Sequence, residues 1–154
     1  MRRTVGEAVL LFASFLQANE FAAAQTQVVP QPNIIHVEVV GLHNDEGQVL
    51  CALFSSREGF PKESEKAVAR ITSPVARKVA VCEFSGISPG RYAVATFHDE
   101  NSNGKLDTNF MGIPREGVGA SNDARSHLGP PKFESAAFSF PGGRMELKIR
   151  INYL

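Results

Sequence analysis

The sequence predicts an all-β protein: an antiparallel β-sandwich of about seven short strands carrying one long ordered loop. Three observations carry that expectation. Apolar and polar residues alternate with period two in several short stretches, as a sheet with one buried face requires. Clusters of Gly, Pro, Asn and Asp separate those stretches. No stretch sustains the periodicity of a long helix, and nothing repeats at the period of a solenoid or propeller.

In "NIIHVEVVGL", Ile35, Val37 and Val39 fall on one side and Ile34, His36, Glu38 and Val40 on the other, a strand with His36 facing outward. "HNDEG" supplies turn chemistry, and "QVLCALFSS" reads as a second strand that completes a hairpin. "REGFPKESEKAVAR" is charged, holds Gly59 and Pro61, and reads as a connection with one helical turn. "RITSPV" and "RKVAVCEF" are two further strands around Pro74; in the latter Val79 and Val81 oppose Ala80, Cys82 and Phe84. "SGISPGRY" is a turn in which Pro89 presets one dihedral and Gly90 is expected to supply a positive φ. "RYAVATFHD" alternates Tyr92, Val94 and Thr96 against Ala93, Ala95 and Phe97. A Gly/Pro/Asn-rich segment then runs from Asp99 to about Lys132, and "KFESAAFSF" and "RMELKIRINYL", joined through "PGG", end the chain. The last strand is the cleanest, with Met145, Leu147, Ile149, Ile151 and Tyr153 toward a core and Arg144, Glu146, Lys148 and Arg150 toward solvent.

The length of 154 residues suits one domain, and an apolar content of 43% is enough for a core. Lys+Arg and Asp+Glu both total 16, so no net charge draws in nucleic acid or an anionic membrane. Without a basic, aromatic-interleaved patch, nucleic acid is set aside as a partner.

The first residues are of another kind. "MRRTVGE" is basic, "AVLLFASFL" apolar, and "QANEFAAAQ" ends in small residues, the order of a secretory signal peptide. The apolar run is too short to cross a bilayer, which takes about 20 residues. A frayed amphipathic helix is the competing reading. Cleavage after Ala24 divides the chain into a signal peptide (1–24), a Pro-containing linker (25–32) and a domain (33–154). No lipobox cysteine lies near the cut, so a periplasmic or secreted protein without a transmembrane segment after cleavage is expected.

Export bears on the cysteines. Cys51 and Cys82 are the only pair, and an oxidising compartment favours joining them. The bridge would close a loop of about 30 residues and add roughly 3–4 kcal/mol by the loop-entropy model. Two buried thiols that never meet are the alternative. The spacing is not C-x-x-C, which argues against a redox-active pair.

The segment "HDENSNGKLD" raises a question of metal binding. Asp99, Asn101 and Asn103 stand at every second position before Gly104, and Asp107 follows at the ninth position from Asp99. Lys105 can offer a backbone carbonyl. That is the front half of an EF-hand-type loop, but Phe110 stands where the bidentate Glu belongs and a strand precedes it, so it is not an EF-hand. With only Asp99 and Asp107 charged, calcium would bind in the weak extracellular range, around 10⁻⁴–10⁻³ M. A chain of Asx-turns explains the same residue types without an ion. The loop also holds Phe110, Met111, Ile113, Val118, Leu128 and Phe133, which are expected to pin it to the sandwich.

The same polar region offers His98, Asp99 and Ser121 to a hydrolase reading, and His98 with His127 to zinc. There is no nucleophile elbow, no H-E-x-x-H and no Gly-rich phosphate loop, and no third zinc ligand is fixed by spacing. His98 is expected to pack at the strand end through a hydrogen bond, and His43 to face solvent. No catalytic residue and no cofactor other than calcium is assigned.

Taken together, "GQVLCALFSSREGFPKESEKAVAR", "GISPGRYAVATFHDENSNGKLDTNFMGIPREGVGASNDAR" and "GPPKFESAAF" resemble the bacterial family DUF2141, over roughly Asn33 to Tyr153, with Pro89 to Asn122 the most specific run. The resemblance implies an exported β-sandwich-like domain of unassigned activity. "PGRYAVATFHD" is also similar to the corresponding strand of Ig-like sandwiches of the prealbumin-like and carboxypeptidase-regulatory-like kinds, an analogy of fold alone. The expected function is a non-catalytic exported module that binds a protein or envelope partner through the Asp99–Lys132 loop. A carrier of small molecules or peptides of prealbumin-like type is the rival, and would need an apolar pocket beside Phe110, Met111 and Phe133.

Overall fold

The structure, a computed structural model, describes residues 32–126 and 129–154. The signal-peptide reading (1–24), all of the linker but residue 32, and the loop residues His127 and Leu128 lie outside the described residues.

Among the described residues, eight strands form two sheets: β1 (Ile34–Val40), β2 (Gln48–Phe54), β3 (Ala69–Pro74), β4 (Val79–Ser85), β5 (Gly90–Asp99), β6 (Val118–Ala120), β7 (Phe138–Phe140) and β8 (Arg144–Arg150). One sheet has the order β4-β1-β8; the other runs β3-β2-β5-β6, with β7 also paired to β5. Among the described residues, helical structure is confined to 3₁₀ turns at Ser64–Lys66 and Ser121–Asp123 and to one turn, α1 (Phe133–Ala136). The fold is the expected β-sandwich. The strand beyond the expected count is β6, whose Val-Gly-Ala is too short and too small to show alternation.

Pairing departs from expectation in two places, between β1 and β2 and along β1–β8. β1 and β2 are not a hairpin, because they lie in opposite sheets. Residues 41–47 separate them, more than the two to five residues typical of hairpin loops, and Ile35, Val37 and Val39 face Val49, Cys51 and Leu53 in one core. β7 and β8 likewise divide between sheets, β7 on β5 and β8 on β1. The β1–β8 pair is parallel, so the sandwich is antiparallel except along that ladder. Gly90 does not supply the positive φ; Gly86 does, at 71°. A Cβ on Gly90 would stand 3.1 Å from the Tyr92 ring, so that glycine is there for close packing.

The core between the sheets contains Ile35, Val37, Val39, Cys82, Phe84 and Ile149 from one side and Val49, Cys51, Leu53 and Val94 from the other. Full burial of such side chains stabilises by about 1.5–3 kcal/mol each. Cys51 on β2 and Cys82 on β4 form the expected disulfide across this core, with Cα atoms 6.5 Å apart. The outer face of the three-stranded sheet is charged: His36 lies 3.3 Å from Glu83 and 3.5 Å from Glu146, and Lys148 lies 3.1 Å from Glu38. Such surface pairs contribute about 0–1 kcal/mol, so this face is a solvated one.

The outer face of the five-stranded sheet is apolar along β2, β5 and β6, with Arg70 and Thr72 on β3 beside it, and a second cluster covers part of it. Phe54, Ala93, Ala95 and Ala120 pack beneath Phe133 and Ala136 of α1, with Phe60 set edge-on to both Phe54 and Phe133. Both faces of β5 are therefore buried along its middle, which fixes the end of that strand firmly in place.

Candidate functional site

β5 ends in His98 and Asp99, both fully buried, and alternation sends their side chains to opposite sides. The Asp99 carboxylate accepts three hydrogen bonds: from Gln48 Nε2 at 2.8 Å, Gly104 N at 2.8 Å and Asn103 N at 3.0 Å. A residue at position 47 must be glycine, since a Cβ there would collide with the Asp99 carbonyl.

Beyond Asp99 the loop ties itself together. Asn101 Oδ1 accepts the Asn103 N–H at 3.1 Å, and Asn103 Oδ1 accepts the Lys105 N–H at 2.7 Å, two successive Asx-turns. Both side-chain amides point to Asp107: Asn101 Nδ2 donates at 2.7 Å and Asn103 Nδ2 at 3.2 Å. The loop thus draws Asp99, Asn101, Asn103 and Asp107 into one knot, while Lys105 joins through its backbone.

Sequence reasoning missed Glu116. It is buried, and its two oxygens accept the backbone N–H groups of Glu100 at 3.0 Å and Asp107 at 2.9 Å. A lone acid in "GIPREG" shows no periodicity that would mark it. Glu116 and Asp99 hold the first part of the loop, and of the apolar residues expected to pin it Phe133 is buried while Phe110, Met111 and Ile113 are not. Phe110, Met111 and Ile113 are 96%, 64% and 41% exposed. The reason is a tight turn in which Asn109 Oδ1 accepts the N–H groups of Met111 and Ile113, lifting the tip into solvent.

On the other side of β5, His98 Nε2 lies 2.7 Å from the Glu46 carbonyl and Nδ1 lies 2.7 Å from the Tyr153 hydroxyl. The expected anchoring hydrogen bond exists, to the β1–β2 connection. His43 is exposed as expected, yet its ring stacks on Tyr153 with centroids 3.9 Å apart, and its Nε2 lies 3.0 Å from Glu100 Oε1. Burial pushes the Glu100 carboxyl up, but the hydrogen bonds from His43 and Asn44 and the nearby imidazoles outweigh it and leave the group below the usual carboxylate range. Burial raises the Tyr153 phenol, which therefore stays neutral at ordinary pH.

The hydrolase residues do not assemble. Ser121 Oγ donates to the Ala136 carbonyl at 2.6 Å and accepts the Val94 N–H at 2.9 Å, a structural role that ties α1 to β5. His98 and Asp99 spend their hydrogen bonds elsewhere, as described.

A cleft of about 1460 Å³ lies over the uncovered part of the five-stranded sheet. Leu50, Ala52, Ala95 and Phe97 line it from the strands, and Met111 and Ile113 from the loop. Of the three residues expected beside a pocket, Met111 lines it; Phe133 is buried in the second cluster, as part of α1.

A family model described as an uncharacterized protein conserved in bacteria (DUF2141) matches residues 37–148. No curated protein and no solved structure matches the chain.

Proposed function

The chain belongs to the DUF2141 family, and from that premise we propose that it is an exported, non-catalytic binding module whose loop is set by calcium and whose cleft takes an apolar ligand. The observation that carries this reading is the oxygen-rich knot of Asp99, Asn101, Asn103 and Asp107 at the buried end of β5, beside a cleft. Calcium takes six to eight oxygens, and with the Lys105 carbonyl these residues offer five sources. An ion seated there would take the Asp107 carboxylate from the two asparagine amides and stiffen the turn that carries Met111 and Ile113. Export is supported by the disulfide, which suits an oxidising compartment.

Thermal melting in calcium and in chelator tests the metal. At ten times its Kd, calcium stabilises by about 1.4 kcal/mol, a rise of several degrees in Tm. Asp107→Asn is expected to abolish the rise. A Tm indifferent to millimolar calcium ends the metal claim.

The carrier reading is favoured by the cleft itself. An environment-sensitive apolar dye is expected to brighten on binding, and Ala95→Gln, which places a bulky polar chain in the cleft, to suppress the signal severalfold. Equal brightening in wild type and variant would remove the cleft as the binding place.

A further inference from the structure

We propose that His43, His98 and Glu100 form a second metal site, for a divalent ion of the zinc class, on the opposite side of β5 from the asparagine knot. One ligand atom from each residue lies within 4.8 Å of the other two. Glu100 Oε1 stands 3.0 Å from His43 Nε2 and 3.9 Å from His98 Nδ1. Ligands about 2.0–2.1 Å from a tetrahedral ion stand about 3.3 Å apart, so these separations straddle the required edge.

The surroundings prepare the donors. A carbonyl oxygen only accepts, so the contact with Glu46 places the His98 proton on Nε2 and leaves the Nδ1 lone pair aimed at Glu100 and Tyr153. A metal-bound imidazole is fixed in this way, its other nitrogen donating to a carbonyl. Asn44 Nδ2 holds Glu100 Oε2 at 3.2 Å, which turns Oε1 toward the imidazoles. Tyr153 OH donates to His98 Nδ1 at 2.7 Å, a hydrogen bond that an ion must displace, and a solvent molecule is left to be the fourth ligand. Two imidazoles with one carboxylate suit zinc, copper or nickel and not calcium, which separates this site chemically from the oxygen-only loop. His43 is exposed, so an ion can enter from solvent.

The test is calorimetric titration of chelator-treated full chain, free of any histidine tag, with zinc ion, and with cobalt ion followed by visible absorption. One equivalent of zinc is expected per chain, and cobalt should give the intense bands of a four-coordinate ion. His98→Ala removes a buried side chain and can fail to fold, so His43→Ala, on an exposed turn, carries the test. It should weaken zinc at least tenfold with its melting curve cooperative, as should Glu100→Gln, while Asp107→Asn leaves zinc binding unchanged. Absence of stoichiometric uptake, or affinity unchanged in His43→Ala, overturns the site. Since calcium is read out through Asp107→Asn, either metal can fail without the other.

Discussion

Replacing both Cys51 and Cys82 by alanine is expected to cost about 3–4 kcal/mol of folding free energy. The two residues are 31 apart in sequence, so the bridge removes the entropy of closing that loop from the unfolded chain. Both are buried in the centre of the core, so each alanine also leaves space that the neighbouring Val, Leu and Ile side chains fill only in part. Domains of this size are stable by about 5–15 kcal/mol, so the loss is a large share of the whole. Urea unfolding of the oxidised protein, the reduced protein and the double variant measures it. Reduced wild type should fall between the other two, because it keeps its sulfur atoms. Coincident midpoints for all three would show that the bridge contributes nothing.

Asp99→Ala is expected to destabilise by about 2–4 kcal/mol, since hydrogen bonds to a charged group are worth about 1.5–3 kcal/mol each and are not additive. Three N–H donors, from Gln48, Asn103 and Gly104, lose their shared acceptor at once. The damage should be local first. Without its first anchor the loop opens more often, and Phe110 at its exposed tip offers a chymotrypsin site. Cleavage after Phe110 in the presence of chelator should quicken at least tenfold, ahead of global unfolding. A cleavage rate equal to that of wild type would mean that Glu116 alone holds the loop. Chelator matters here, because it separates the carboxylate's hydrogen-bonding role from any part in binding calcium.

Much of the fold was legible in the sequence, for a definite reason. β1, β4 and β8 alternate cleanly, and alternation reports which side of a strand faces a core. It does not report which strand lies alongside, and that is where the reading failed: Val49, Cys51 and Leu53 look the same whether β2 pairs with β1 or faces it. The knot from Asp99 to Asp107 could be seen because its parts are adjacent in the chain. Tyr153 could not, because it meets His98 across 55 residues. Phe110 and Met111 misled because an apolar side chain in a loop is compatible with burial or exposure alike. Only the Asn109 turn decides it, and its effect is visible in the hydrogen bonds alone.

The parallel run of β8 beside β1 also sets how the domain is presented. Ile34 sits next to Arg144 at one pole, and Val40 next to Arg150 at the other, where His43 and Tyr153 meet. Seen from Ile34, where the described chain enters the sheet, His43 and the asparagine loop lie at the far end, as a lamp does on its post. A purification handle is therefore best placed ahead of the domain. Appended after Leu154, it would hang directly beside Tyr153, and a run of histidines there would compete for any ion under study.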